Sequence, residues 1–371
     1  MPTGNEFVGV LNTVMPKYLK GAADLTVRKR LWLAMLERRG AISFNHSSYT
    51  MIWDVEYAEP PVESYADGGQ LTFSVGDYYK QAELNWRGYK VTDKMTEKQR
   101  DMMADSAMIV RRYKKKIPKL MKTLRNKFGS ELYVDGSAAG NENRLDGGGT
   151  WKANDGNTVA GDRIANPSDT YAGLSTTAAQ YDTWTSDGTA PNATLATDWP
   201  EGGSGDTAGY DYWSPKLANW SSTAWGTSST AWIDNGEFVL RKLLQWLRLT
   251  AGADGASLLA LLAGDLFTDF KNAQSTKGRV LVPHQEANDL GFPDVLNFEG
   301  LALQSEFGTA MNTGWVINAD EMELQSLKPQ LFGKAGPDWD PHTASWLFQA
   351  GFFGNLNWHS PKFHAYMENY A

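Results

Sequence analysis

One stretch, Thr92 to Phe128, limits what this chain can fold into. Val110, Tyr113, Ile117, Leu120, Leu124 and Phe128 recur within it at three- and four-residue intervals. That spacing puts them on one side of a helix, as an apolar stripe that must pack against something. Thr92 or Asp93 is placed to cap the start. Glu97, Asp101 and Asp105 stand early and the cations late, the order the helix dipole favours. Pro118 lacks a backbone donor and crowds the preceding turn, so a kink or break is expected there.

Opposite the stripe lie Arg111, Arg112, Lys114, Lys115, Lys116, Lys119, Lys122, Arg125 and Lys127, with no acid among them. Two readings stand side by side: a solvated helix face, or a basic surface facing DNA or an acidic partner. The charge along the chain is uneven. Residues 1–130 hold 22 Lys and Arg against 14 Asp and Glu, and residues 131–371 hold 13 against 29. A chain divided in this way can attract copies of itself, basic part to acidic part.

The 371 residues exceed one ordinary core and suggest two domains, or one with large excursions. No apolar run approaches the roughly 20 residues that cross a bilayer, so no membrane partner is expected. The first ten residues carry neither a basic start nor an apolar signal region, which points to synthesis in the cytoplasm without export. With no cysteine, disulfides, thiolate metal sites and cysteine catalysis are all excluded.

Val27 to Arg39 reads as a short basic helix after an arm. Met51, Trp53, Val55 and Tyr57 alternate with more polar residues, as do Leu71, Phe73 and Val75 and then Ala82, Leu84 and Trp86; the turn-rich segment between makes this a long hairpin. A hairpin has little core of its own, and no second layer lies near it in sequence, so Met51, Trp53, Val55 and Tyr57 are expected to meet a neighbouring subunit. Residues 136–234 are rich in Gly, Ser, Thr, Asn, Asp and Ala, yet contain Trp151, Trp184, Trp199, Trp213, Trp220, Trp225 and Trp232. So many aromatic rings argue for ordered loops anchored ring by ring. Helices are expected over 236–249 and 266–273. Strands are expected over 258–263, 295–303, 314–317, 345–351 and 362–368, which together give a mixed α/β region.

Little in the sequence is arranged for catalytic chemistry. His359 and His364 are five residues apart and would point to opposite faces of a strand, so no shared metal is expected. Asp146-Gly147-Gly148-Gly149-Thr150 lacks the Lys-Ser/Thr that a phosphate-binding loop requires, and reads as a plain loop. No cofactor, metal or catalytic residue is expected. Exposed tryptophans beside acids leave one rival class, a carbohydrate-binding or carbohydrate-active protein that uses the Trp-rich segment.

Several segments in order resemble the major capsid proteins of tailed bacteriophages. They are Asp169 to Leu174 through Trp184, Tyr212 to Asn219, Leu290 to Phe292 with Leu296 to Leu301, Gly314 to Asn318 with Met322 to Leu324, and Trp346 to Gln349 with Gly354 to Leu356 and Pro361 to Ala365. The resemblance implies an α+β, Hong Kong 97-like fold. Its parts would be an N-terminal arm (1–45), an extended E-loop hairpin (46–92), a peripheral domain with a long spine helix (93–135 and 336–371), and an axial domain (136–335) with a loop-rich insertion at 185–232. It further implies a non-enzymatic virion protein, assembled in the host cytoplasm as hexamers and pentamers into an icosahedral shell around double-stranded DNA that is held by proximity rather than by sequence. Scaffolding, portal and decoration proteins are its implied partners, and the short front leaves scaffolding to a separate protein. Some members weld subunits through a Lys–Asn bond at the E-loop. Here the tip has no Lys, and Lys80 and Lys90 fall on the stem, so a noncovalent shell is expected.

Overall fold

The computed structural model describes residues 31–56, 63–65, 73, 79–102, 119–124, 126–152, 170–175, 213, 215–221, 229–251, 257–277, 283–290, 292, 294–306, 308–329, 331 and 333–369. Along the chain run α1 (Leu31–Arg38), β1 (Ile42–Phe44), β2 (Thr50–Glu56), β3 (Tyr79–Asn85), β4 (Arg87–Thr96) and α2 (Glu97–Asp101). A helical stretch over 119–124 and 126–131 comes next. Then follow α3 (Gly148–Lys152), β5 (Thr170–Tyr171), β6 (Leu174–Ser175), β7 (Lys216–Asn219), α4 (Trp232–Ala251), β8 (Leu258–Leu262), α5 (Gly264–Thr276) and α6 (Gln285–Asp289). The chain closes with β9 (Leu296–Phe298), β10 (Leu301–Ser305), β11 (Gly314–Asn318), β12 (Glu323–Ser326), β13 (Gly333–Asp340), β14 (Ser345–Asn357) and β15 (Ala365–Glu368).

Two sheets organise these elements. In the first, β14 is the long central strand: β4 pairs along one edge over Ser345 to Gly354, while β13 and then β12 pair along the other, with β1 outermost beside β12. The second sheet runs β7-β15-β11-β8-β10-β9. Its centre, β8, is buried at every position, as expected of a strand with elements on both faces. α4 and α5 pack on each other and on this sheet, α4 beside β7 and α5 beside β10: Val239, Leu240, Leu243, Leu244 and Leu247 of α4 are buried, as are Leu266, Phe267 and Phe270 of α5. The stripe of α4 is amphipathic, with Phe238 left exposed and Val239 buried in its place.

The apolar stripe holds where it is described. Leu120, Leu124 and Phe128 are buried, and the Phe128 ring meets Phe352 of β14 edge-on at 4.8 Å. Val110, Tyr113, Ile117 and Pro118 lie outside the described residues. The helix start differs from expectation. Residues 92–96 complete β4, and Thr96 is the cap, its side chain accepting from the Gln99 amide at 3.3 Å. Ten successive residues of β4 find ladder partners on β14, which outweighs a cap at Thr92 or Asp93.

The domain limits shift for the same reason. β4 belongs to the first sheet from Arg87, not to the hairpin. β12, in the expected axial range, lies in the first sheet, while β15, in the expected peripheral tail, pairs with β11 and β7 of the second. Residues 31–44 are no free arm: all apolar side chains of α1 are buried and β1 is a sheet strand.

Candidate assembly surfaces and the joint behind them

β2 and β3 form the antiparallel hairpin in full register, Thr50 opposite Asn85 through Glu56 opposite Tyr79. Met51, Trp53 and Val55 turn inward with Ala82 and Leu84; Met51 is buried by its own chain, while Trp53 and Val55 are half-buried. The cover comes from residues far away in sequence. The Trp53 ring lies 6.3 Å from that of Tyr171, its indole donates to the His359 carbonyl at 3.0 Å, and the Glu83 amide donates to Ala172. Tyr171 and Leu174 pair across a two-residue turn in which Ala172 and Gly173 both have positive φ, 52° and 80°. That is the turn whose twist suits a tight hairpin. Tyr57 lies outside the described residues.

The other face of the stem is open and acidic. Ile52, Asp54, Glu56, Tyr79, Gln81 and Glu83 are exposed there, and none of the eight stem residues on that side is Lys or Arg. Ile52 is 49% and Tyr79 56% exposed, so apolar surface accompanies the acids. The open face of the first sheet is the reverse. Lys90 and Lys94 project from β4, and the Lys90 and Lys328 ammonium groups lie 5.6 and 4.8 Å from the Phe353 ring centroid. Asp338 sits at the margin, opposite Leu347. Lys90 is therefore a residue of the sheet, not of the hairpin stem where sequence put it.

Of the basic helix face, Lys119 and Lys122 are described and exposed. Lys127 is not a free cation: its ammonium lies 2.7 Å from the fully buried Glu131 carboxylate one turn on. Arg111, Arg112, Lys114, Lys115, Lys116 and Arg125 lie outside the described residues.

Behind these surfaces, residues 131–150 form a polar joint between hairpin, first sheet and second sheet. Glu131 accepts from Arg144 through both carboxylate oxygens and from the Tyr89 hydroxyl at 2.7 Å, and that hydroxyl accepts from the Leu145 amide. Burial alone would push the Glu131 carboxyl up; Arg144, Lys127 and Tyr89 together hold it below its ordinary value. Asp146 receives Arg87 through Nε and Nη2 and Asn355 through Nδ2, while Asn355 also donates to the Asn85 carbonyl of β3. The Trp358 indole donates to the Asp146 carbonyl at 2.8 Å. Both buried acids are thus matched by cations and fixed donors, which is what keeps them affordable inside.

The glycine run has a packing reason. A Cβ at Gly147 would stand 2.3 Å from the Glu131 carbonyl oxygen, one at Gly148 2.5 Å from the Trp315 ring, and one at Gly149 2.5 Å from the Asp135 amide. The run lets the chain lie directly on residues 131–135 and on β11 where Gly147 leads into α3, a helix start where sequence suggested a plain loop.

The described tryptophans of the Trp-rich region, Trp151, Trp213, Trp220 and Trp232, are all buried. Three of them donate through the indole: Trp213 to the Tyr171 carbonyl, Trp220 to that of Asn312, and Trp232, at the start of α4, to that of Leu266 in α5. Trp184, Trp199 and Trp225 lie outside the described residues. No exposed indole platform for a sugar is found among the described rings of this region. His359 and His364 flank a 3-10 turn rather than sharing a strand. Among the described residues no group of three His, Cys, Asp or Glu is placed to hold a metal ion. No described helix is long and apolar enough to cross a membrane.

No protein-family model matches the chain, and no curated protein matches it in sequence. Solved structures do match. The chain superimposes on a chain of the cyanophage A-1(L) capsid asymmetric unit with a TM-score of 0.55 at 16% identity, covering 91% of both chains. On the capsid chain of an empty GTA particle computed with C5 symmetry, the TM-score is 0.52 at 10% identity, covering 91% of this chain and 90% of that one. The shared architecture is the α+β, Hong Kong 97-like capsid fold.

Proposed function

We propose that this chain is a major capsid protein, which self-assembles as hexamers and pentamers into an icosahedral shell around phage DNA. The observation that carries the reading beyond shared fold is the pair of opposed faces: an acidic, partly apolar stem and a basic sheet face centred on Phe353, both open to solvent in a single chain. Surfaces that complement each other on one molecule favour head-to-tail contacts between copies, and such contacts close into rings when the rotation allows. The hairpin is the intersubunit device through its outer face and its tip. Lys119 and Lys122, exposed cations described on the spine helix, face DNA, scaffolding protein or an acidic neighbour.

In this reading the protein does its work by binding, with no chemical step. Scaffolding, portal and decoration proteins are its further partners, the host cytoplasm its place of assembly and the virion its destination. The limits of the parts follow the sheets: a peripheral unit from Arg87 through the spine helix with β12 to β14, and an axial unit built on β8. Negative-stain microscopy of the purified protein tests the reading. Hexamers, pentamers or closed shells are expected. Dispersed monomers that bind glycans would overturn it in favour of a carbohydrate-binding protein.

A further inference from the structure

At the root of the hairpin a histidine stands between two carboxylates. His359 Nδ1 lies 3.4 Å from Glu321 Oε2, and Nε2 lies 3.9 Å from Glu323 Oε2. Glu321 ends the 3-10 turn after β11 and Glu323 opens β12, so the ring spans the crossing from the second sheet to the first. The carbonyl of the same residue receives the Trp53 indole, the stem's hydrogen bond to this turn. We propose that His359 is a proton-operated clasp: its imidazolium, held between Glu321 and Glu323, fixes the turn that anchors Trp53, and loss of its proton loosens this one of the anchors that tie the hairpin stem to the body of the chain.

The geometry favours the charged ring, with Nδ1 within hydrogen-bond reach of Glu321 and Nε2 at ion-pair distance from Glu323. An imidazolium has two N–H donors, one for each carboxylate, whereas a neutral imidazole has one and must turn a lone pair toward the other acid. Glu321 first and Glu323 second raise the His359 pKa to about 9 against the opposing effect of burial. Glu323 is in turn held near 2, chiefly by His359, with Ser43 and Gln325 assisting. Among the described residues, the other charged or titratable groups around the clasp include Lys362, which faces Glu321, His364, which is buried and uncharged at neutral pH, His46, which shares Ser43 with Glu323, and the Arg39–Asp320 ion pair beside Glu321. A histidine raised in the folded state contributes fully below its free value of about 6.5, and that contribution fades as pH climbs through about 9. The clasp is closed at neutral pH and opens on the alkaline side.

All partners lie in one chain, so the inference stands apart from assembly and can be tested on the unassembled protein. The readout is amide hydrogen exchange of β2 and β3, corrected for the intrinsic effect of pH. Wild-type protection is expected to fall on the order of tenfold between about pH 7 and pH 10, with β8 unchanged as an internal control. His359→Gln should show the low stem protection at every pH. His359→Lys, cationic to higher pH, should move the fall upward. Wild-type stem protection that stays level across that range overturns the proposal without any variant. A fall that persists in His359→Gln, or that does not move in His359→Lys, overturns it as well.

Discussion

Arg87 and Asp146 form a two-pronged ion pair, Nε to Oδ2 at 3.3 Å and Nη2 to Oδ1 at 3.1 Å, that locks the first residue of β4 to the loop between the two sheets. The Asp146 side chain is 2% exposed and that of Arg87 13%, so neither charge can fall back on water if the other is removed. Breaking such a pair from one side costs about 3–5 kcal/mol, because an uncompensated charge stays buried. Asp146→Ala should lower the stability measured by denaturant titration by that amount. Arg87→Met with Asp146→Leu together should cost much less than either single truncation. A small effect of Asp146→Ala would mean that the joint does not hold the sheets.

Gly147→Ala is expected to destabilise more than any surface substitution, since the added methyl meets three backbone carbonyls within 2.7 Å. Backbone cannot turn aside as a side chain can, so a loss of at least about 3 kcal/mol is expected, the upper end of overpacking costs. Gly140→Ala is the control: nothing lies within 4 Å of its added Cβ, and only its positive φ, 88°, opposes the change. Melting temperatures of the two variants make the comparison.

His364 is completely buried, with Nδ1 accepting from the Asn318 amide at 3.2 Å and its ring stacked on Trp151, and burial lowers its pKa to about 3. The folded state binds the proton less well than the unfolded chain. Its stabilising effect is therefore complete above about pH 6.5 and is lost as pH falls toward 3. Denaturant midpoints should decline over that window in the wild type and decline less in His364→Gln, which keeps an acceptor for Asn318.

Reversing charge on the stem, Asp54→Lys with Glu83→Lys, should abolish assembly while leaving a folded monomer, because both side chains are exposed and outward. Combining it with Lys90→Glu and Lys328→Glu should restore part of the yield in low salt, where opposite charges attract most. Light scattering during assembly reads both. Failure of the fourfold variant to recover would place the stem's partner elsewhere.

Boiled particles should run as a single band near 41.1 kDa on a denaturing gel. Lys80 lies on the inward side of the stem opposite Val55, and Lys90 lies over Phe353, so neither stands at a hairpin tip poised to bond a neighbour. A ladder of monomer multiples would show a covalent shell.

What sequence by itself determined is the set of elements whose stability is local or whose pattern repeats. The buried run Leu258 to Leu262, the amphipathic α4, the α5 helix, and the stripe through Leu120, Leu124 and Phe128 follow from periodicity, and the order of the closing strands carried the resemblance to the capsid fold. Tertiary structure decided everything that depends on partners distant along the chain. Residues 92–96 read as a helix start, yet ladder bonds to β14, some 250 residues later, make them the end of a strand. Trp53 reads from sequence as surface for a neighbour, yet folding brings Tyr171 and His359 against it. The carboxylates of Glu131 and Asp146 were two among many acids in the sequence. Only folding brings Arg144 and Tyr89 to the one and Arg87 and Asn355 to the other, because a buried charge is defined by the donors that surround it, not by its neighbours in sequence.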